Sequence, residues 1–392
     1  VVGTGDWGAN LVRNFATVPG ARLAALHDSD PVRLARTAER YPGARAVPTL
    51  EALLAMTDVQ AAVVAASAVA HHPLARALLA AGKDVFVEKP MALGVAQAEE
   101  LVRLARERDR ILMVGHLLLY HPAVRYLKDL VGRGELGDLL YLYSQRVNLG
   151  KVRRDENALW SFAPHDLSVI LHLVDAEPVD VVARGSAFLQ PGVEDVVFVD
   201  LRFPDGKLAH LHVSWLDPHK LRRFTVVGSR KMAVFDDMEA GEKIRVYDKG
   251  VDRAGQVVSY GDALTVRSGD ILIPRLSLQE PLTLECRHFV ECVRDRRPPL
   301  TDGASGLRVV RVLAAAQASL ATEQTSYFNR FFSRYPGGIY FHYNFWCNVP
   351  DKLQNSFCKN ILERYDCTLI KSYKERDYTY ELYSVEKKQQ PE

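Results

Sequence analysis

The sequence predicts an α/β chain. A doubly wound parallel sheet comes first, then an α+β domain with a large, mostly antiparallel sheet, then a small extra α+β segment at the C-terminal end. Three observations predict it. Residues 1 to 118 alternate short apolar, β-branched runs with helical runs, the pattern of parallel strands joined by crossover helices. After Tyr120, strand-like segments follow one another at short spacing without intervening helices, which predicts an antiparallel or mixed sheet over 119–304. After Ala321 alanine does not occur again, while Tyr, Phe, Asn, Lys and Cys become frequent, so 326–392 reads as a segment of distinct origin or role.

In the first domain the strand candidates are Val1-Val2, Leu23–Leu26, Ala61–Ala65, Val85–Val87 and Ile111–Val114. Helices are expected between them, for example Pro31–Tyr41, Pro73–Ala81 and Val95–Arg108. In the second, a helix Pro122–Val131 leads through Gly134-Glu135-Leu136-Gly137 to a strand Leu139–Val147, and a further helix is predicted from Pro164 to Leu173. Strands follow at Val179–Phe188, Asp195–Phe203, Leu208–Leu216, Arg223–Val227, Met232–Asp236 and Lys243–Tyr247, with Asp205-Gly206 as a hairpin signal. Helices Leu282–Arg294 and Ser305–Leu320 close the body of the chain, and the apolar 305–321 run is expected to pack back on the first domain. In the tail, Ile339–Cys347 reads as a strand and Lys352–Tyr365 as a helix with Leu353, Phe357, Ile361 and Leu362 on one stripe. Cys367–Tyr373 and Tyr378–Val385 read as a hairpin.

At 392 residues the chain is too long for one ordinary domain, and 48% hydrophobic with 25% charged residues is the composition of a globular protein with an ample core. A formal charge of +2, without a long basic stretch interleaved with aromatics, argues against nucleic acid as a partner. Five cysteines, none in a C-x-x-C, argue against a disulfide framework or a zinc finger and fit a reducing cytoplasm. No apolar run reaches bilayer length and no signal peptide is visible, so a cytoplasmic protein without a membrane partner is expected.

The chemistry starts at Gly3-Thr4-Gly5-Asp6-Trp7-Gly8. A G-x-G-x-x-G alone is weak evidence, but this one follows an apolar strand, opens the helical run Ala9–Phe15, and is followed by an acid, Asp28, after the next strand. That is the dinucleotide-binding arrangement, in which glycines permit a tight turn and a close approach to pyrophosphate at a helix N-terminus. Asp28 is expected to accept hydrogen bonds from the adenosine ribose and to repel a 2′-phosphate, favouring NAD over NADP. Some eighty residues on, Val85-Phe86-Val87-Glu88-Lys89-Pro90 puts a lysine at a strand end, where such a sheet holds its ligands.

With Gly115-His116 after the fifth strand and Leu159-Trp160-Ser161-Phe162-Ala163-Pro164-His165-Asp166-Leu167-Ser168, these motifs resemble the glucose–fructose oxidoreductase / inositol dehydrogenase (Gfo/Idh/MocA) family over residues 1 to 321. The resemblance implies a Rossmann domain, a substrate domain whose open sheet face supports a homo-oligomer (dimer or tetramer), and Lys89 and His165 beside the nicotinamide and the substrate. Two departures stand out. Ser161 occupies a position where the family commonly has an aspartate, leaving open which group assists His165. His121 stands where an asparagine often precedes the proline. The helix motif together with Arg146-Val147-Asn148-Leu149-Gly150 looks most like members that act on nucleotide-linked sugars.

The expected roles follow. His165 acts as general base in oxidation and acid in reduction, since imidazole titrates near working pH. Lys89 hydrogen-bonds the reacting oxygen. Gly3, Thr4, Gly5, Asp6, Trp7, Gly8, Asp28, Ser67, His71, Glu88 and Lys89 form the cofactor site, with Glu88 orienting its loop. His116, Arg146, Asn148, Arg153, Arg154, Ser161 and Asp166 form the substrate site. There the basic stretch, which also includes Lys151, would suit a diphosphate, a charged surface loop being the alternative. His71-His72 and His210-x-His212 lack a third ligand, so no metal is expected. The sequence thus predicts an NAD-dependent oxidoreductase of a sugar or sugar-nucleotide hydroxyl. A free-sugar or inositol dehydrogenase and a non-catalytic dinucleotide sensor are the rival readings.

Overall fold

The structure is a computed structural model that describes all residues except 151, 155, 254–263, 278, 335–338, 344–364, 376–377 and 388–392. The chain divides into two compact units, Val1–Ser319 and Leu320–Glu392.

The first unit opens with the helix α1 (Gly8–Phe15), followed by β1 (Ala25–Leu26), α2 (Pro31–Arg40), β2 (Arg45–Ala46), α3 (Leu50–Leu54), β3 (Ala61–Val64), α4 (Ala68–Ala80), β4 (Asp84–Glu88), α5 (Val95–Glu107) and β5 (Leu112–Gly115). β1 pairs parallel with β2, β3 with β4, and β4 with β5, while Val2 bridges in parallel to both His27 and Val64. The resulting order, β2-β1-Val2-β3-β4-β5, is a parallel sheet wound in both directions from its first strand, as predicted. Strand β4 is buried along its whole length, which accounts for its unbroken Val-Phe-Val run. Asp30 caps α2 by accepting from the Val32 and Arg33 amides, with Pro31 at the first helical position. Pro73 lies inside α4, which starts five residues before it.

After β5 a short 3-10 turn, Leu117–Tyr120, leads into α6 (Pro122–Gly132), β6 (Leu139–Val147) and α7 (Ala158–Val174). Then come β7 (Asp180–Ser186), β8 (Val196–Arg202), β9 (Leu208–Ser214), β10 (Leu221–Gly228), β11 (Met232–Asp236), β12 (Ile244–Arg253) and β13 (Leu264–Leu272). They form an eight-stranded sheet in the order β13-β12-β11-β10-β6-β9-β8-β7, antiparallel except for the parallel pair β6–β9. The Asp205-Gly206 turn joins β8 to β9 as expected, with Gly206 at φ +83°. Helix α7 packs on one face of this sheet. Tyr141, Tyr143 and Phe198 are exposed on the other.

Helix α7 begins at Ala158, six residues before Pro164, where the sequence reading had started it. Pro164 sits inside the helix, and the start is set instead by Asn157, whose Oδ1 accepts from the Trp160 amide. Asn157 Nδ2 also donates to Glu194 Oε2 at 2.6 Å and to Gln317 Oε1 at 2.9 Å. Tertiary partners hold a helix start that local propensity does not reveal.

Helices α8 (Pro281–Asp295) and α9 (Gly303–Arg334) return to the parallel sheet. Leu307 and Val310 of α9 join Val85, Val87, Leu101 and Val114 in the core on one face, as anticipated for that helix. The sequence reading had grouped α8 with the second domain. The structure packs its Leu282, Cys286 and Phe289 against Leu11, Phe15, Phe86 and Tyr120 on the other face, which would otherwise be bare. Phe15, Phe86 and Phe289 meet edge to face, with ring centroids 5.7–6.4 Å apart.

In the second unit, β14 (Ile339–Tyr343), β15 (Tyr365–Glu375) and β16 (Tyr378–Lys387) form an antiparallel sheet in the order β14-β16-β15. The expected hairpin is therefore present. The expected helix over 352–365 lies outside the described residues except for Tyr365, which begins β15.

The aromatic trio is the joint between β4, α1 and α8. Phe86→Ala is expected to lower stability by about 3–5 kcal/mol, read as a reduced midpoint of urea unfolding followed by far-UV circular dichroism.

Candidate functional site

Two recesses lie at the carboxyl ends of the parallel strands. The first lies over the glycine turn and is bounded by Thr4, Gly5, Asp6, Ala9, Arg33 and Arg36. Gly3 takes φ +90°, and a Cβ there would lie 2.7 Å from the Ala65 carbonyl oxygen. A Cβ on Gly8 would collide with the Gly3 carbonyl, whereas one on Gly5 would face open space, 3.7 Å from Arg33 Nη1. Gly3 is thus required by conformation and Gly8 by packing, and Gly5 leaves room for a ligand. Helix α1 has no side-chain cap and no acid in its first turn, so its N-terminal dipole end suits a phosphate. These features fit a dinucleotide.

Asp28 is held within the glycine turn. It is 5% exposed, and it accepts from the Thr4 amide (2.7 Å), Thr4 Oγ1 (2.9 Å), the Asp30 amide (2.9 Å) and Arg33 Nη1 (3.5 Å). Burial pushes its pKa up, but the hydrogen bonds from Thr4 and Asp30 and the Arg33 charge outweigh that and hold it below the ordinary value. The bonds from Thr4 and Asp30 pin the glycine turn to the start of α2.

The second recess, a cavity of 340 Å³, is of small-molecule size. Its wall brings together Trp7, Ser67, His71, Glu88, Lys89, Asn148, Arg153, Ser161 and His165, all marked out by the sequence. Lys89 Nζ donates to the Ser161 carbonyl of α7 at 2.9 Å. Burial lowers the Lys89 pKa. Glu156 and Glu88 oppose the shift, and Arg153 and Arg146 add to it. His165 is held well below its ordinary value by burial, then by the charges of Lys89, Arg146 and Arg222, so its imidazole is neutral at pH 7.

His71 is clamped between two carbonyls, with Nδ1 at 2.7 Å from Pro90 O and Nε2 at 3.0 Å from Ala66 O. Burial lowers its pKa, and a neutral ring has one N–H, so it donates to one of the two. From α4 it thereby bonds either the loop after β3 or the cis Lys89–Pro90 turn.

Other expected contacts fall elsewhere. Arg146 and Asp166, both picked for substrate, are each other's partners: Nε–Oδ2 is 2.7 Å and Nη2–Oδ1 3.1 Å, with both side chains buried. Arg146 still borders the cavity, but Asp166 does not. His116 is 2% exposed and lies behind the wall, which Gly115 and Leu117 form; burial and then the Lys89 charge push its pKa down to about 3. Arg154 is exposed and off the wall, and Lys151 lies outside the described residues. His121 caps α6 by accepting from the Ala123 amide at 3.0 Å, a task an asparagine could equally do, and its ring packs on Phe235.

The sequence reading missed Glu156 and Arg222. Glu156 precedes the Asn157 cap, pairs with Arg153 at 2.9 Å and has a side chain 7% exposed. Its carboxylate stands in the cavity where no acid was expected. Arg222 enters from β10, remote in sequence, and pairs with Asp237 at 3.4 Å. Only tertiary folding brings it there. A larger cavity of 1040 Å³ opens at the opposite ends of the strands, among residues such as Leu23, Gln60 and Phe289, and holds none of the residues picked from sequence. Among the described residues no group of three or more His, Cys, Asp or Glu converges as a metal site, and no helix is long and apolar enough to cross a membrane.

Comparison with known proteins fits this geometry. Residues 1–116 match the oxidoreductase family model with an NAD-binding Rossmann fold, and residues 124–234 match the GFO/IDH/MocA C-terminal domain. The UDP-N-acetylglucosamine 3-dehydrogenase of Acidithiobacillus ferrooxidans is 28% identical over 82% of this chain and 96% of its own. Its solved structure superposes with a TM-score of 0.69 over 81% of this chain and 96% of its own, at 27% identity. A solved protein from Magnetospirillum magnetotacticum MS-1 is 31% identical, with a TM-score of 0.67 over 80% of this chain and 97% of its own. An inositol 2-dehydrogenase of Acidothermus cellulolyticus is 30% identical over 55% of this chain and 65% of its own. With both family models matched in their proper order and a relative of nearly full coverage above 30% identity, the chain belongs to the GFO/IDH/MocA oxidoreductases, and its N-terminal Rossmann domain binds NAD.

Proposed function

We propose that the protein transfers a hydride between NAD and a secondary hydroxyl or ketone of a nucleotide-linked sugar. His165 is the proton acceptor in oxidation, and Lys89 is the donor to the reacting oxygen. The observation that carries this reading is that both side chains meet on one cavity wall at the carboxyl ends of the parallel strands. NAD, when bound, supplies the hydride acceptor. The protein supplies position and proton traffic. A neutral imidazole at His165 takes the hydroxyl proton, and the Lys89 ammonium offers a hydrogen bond to the oxygen as charge grows on it. Glu156 and Glu88 favour that ammonium against burial and against the neighbouring arginines.

The similarity to a UDP-N-acetylglucosamine 3-dehydrogenase supports a nucleotide sugar, with Arg153, Arg222 and Asn148 as donors on the cavity wall. One observation favours a smaller substrate such as an inositol. Of the basic stretch chosen for a diphosphate, Arg146 is locked to Asp166 and Arg154 lies off the wall. The exposed sheet face carrying Tyr141, Tyr143 and Phe198 is our candidate for the contact between copies of a homo-oligomer in the cytoplasm. Phe198→Asp is then expected to shift the species seen by light scattering towards a monomer, and an unchanged mass would remove that face from consideration.

Lys89→Ala and His165→Ala are each expected to lower kcat at least about 100-fold while NAD still binds in a fluorescence titration. In the oxidative direction kcat/KM falls on the acid side only as pH drops below 6.5, because His165 must be neutral and its pKa is lowered from that value. On the alkaline side it falls below pH 10.5, because Lys89 must be charged and its pKa is lowered too. Turnover in Lys89→Ala equal to wild type would defeat the assignment, and saturable NAD binding without turnover on any sugar would favour a sensor. Arg153→Ala separates the two substrate classes. It raises KM for a UDP-sugar about tenfold, the loss of one charge-assisted hydrogen bond, and leaves KM for inositol unchanged.

A further inference from the structure

The cavity wall carries two arginines that stand opposite each other across the second sheet. β6 and β10 are antiparallel neighbours, and their register sets Arg146 directly against Arg222. Directly opposed residues of such a pair project from the same face, with Cα atoms roughly 4.5–5.5 Å apart. Here it is the face turned to α7, because Arg146 bonds Asp166 of that helix. Both arginines border the cavity that holds Lys89 and His165.

Like charges set opposite each other repel, and each member of this pair is held by an aspartate of its own. Asp166 accepts from Arg146 Nε at 2.7 Å and from its Nη2 at 3.1 Å. Asp237 accepts from Arg222 Nη1 at 3.4 Å, and the Asp237 amide donates to the Arg222 carbonyl at 2.9 Å. Neither aspartate borders the cavity. Arg153 differs, since its partner Glu156, 2.9 Å away, stands on the cavity wall beside it.

A guanidinium has more N–H donors than one carboxylate can engage. Among the described residues neither side chain makes another hydrogen bond, which leaves Arg146 Nη1 and the Nε and Nη2 groups of Arg222 unspent. These donors lie at the reacting end of the cavity. Asp166, which fixes Arg146, follows His165 directly in α7. The charges of Arg146 and Arg222 are both felt at the His165 imidazole, after burial and Lys89. A group that spans the two arginines is therefore carried on the reacting ring and not on a distant part of the substrate.

We infer that Arg146 and Arg222 form a clamp for a carboxylate on the sugar ring, so that the substrate is a sugar acid, free or nucleotide-linked. A carboxylate is planar and has an oxygen for each guanidinium, the match that arginine forks make well. Asp166 and Asp237 are positioning residues that keep the two forks together against their mutual repulsion. This inference rests on the reading of the cavity as the substrate site. It does not rest on the hydride step.

The test is calorimetric binding to the full chain with NADH in excess, which leaves the sugar hydroxyl no hydride acceptor. Glucuronate is compared with glucose, galacturonate with galactose, and UDP-glucuronate with UDP-glucose, so that each pair differs only in the carboxylate. Wild type should bind the acid of at least one pair about tenfold more tightly or better, the worth of a hydrogen bond to a charged group. Arg222→Gln should bring that ratio close to one. Arg222→Lys, which keeps the charge and loses the fork, should fall between. Should Arg222→Gln fail to fold by circular dichroism, Arg222→Lys carries the comparison, with a reduced ratio expected. No preference for the acid in any pair, or a preference that survives in the variants, would overturn the clamp. Equal binding of both UDP-sugars, weakened alike in Arg222→Gln, would assign the arginines to the diphosphate and overturn it too. A wild type that binds the acid yet transfers no hydride from it to NAD would refute the proposed reaction and leave the clamp standing. Hydride transfer from neutral sugars alone would do the reverse.

Discussion

A lysine ammonium held away from water must find its partners within the protein, and the candidate site is organised around that need at Lys89. Its Nζ reaches the Ser161 carbonyl, which joins the end of a parallel strand to a helix of the second domain. Helix α7 must therefore be held firmly. Asn157 ties its start to Glu194 and Gln317, and the Arg146–Asp166 pair fixes its middle to β6. The same helix carries His165, so the contact that seats Lys89 also sets its distance from the imidazole. His71 completes the arrangement from the other side by holding the Pro90 carbonyl.

Charge balance follows from the same constraint. Lys89, Arg146, Arg153 and Arg222 border one small cavity, and burial, then the charges of Lys89, Arg146 and Arg222, keep His165 neutral. Burial, and then the charges of Arg153 and Arg146, also lower the Lys89 pKa. Glu156 and Glu88, both on the cavity wall, oppose that shift. The acid missing at Ser161 is thus matched by a carboxylate on the same cavity wall, delivered five residues earlier in the chain.

Most of the parallel domain was legible because its signals are local. The positive φ of Gly3 and the close approach at Gly8 are demands that only glycine meets, and a fully buried strand shows as an unbroken apolar run. The misreadings share a cause: a side chain whose partner is distant in sequence. Pro164 looked like the first turn of a helix that in fact starts at a tertiary cap. Arg146 and Asp166 looked like two contacts for substrate, while register and helix position bring them to each other. Arg222 and Glu156 carried no motif.

Helix α9 imposes a mechanical condition on all of this. Leu307 and Val310 are embedded in the parallel-sheet core, and within the next three turns Gln317 bonds to Asn157 and Trp160 while Ser319 Oγ accepts from the Ala183 amide at the edge of the second sheet. No glycine or proline interrupts the helix between Leu307 and Ser319, so nothing there acts as a flexure. A continuous rod anchored in both layers resists their rotation about the intervening gap.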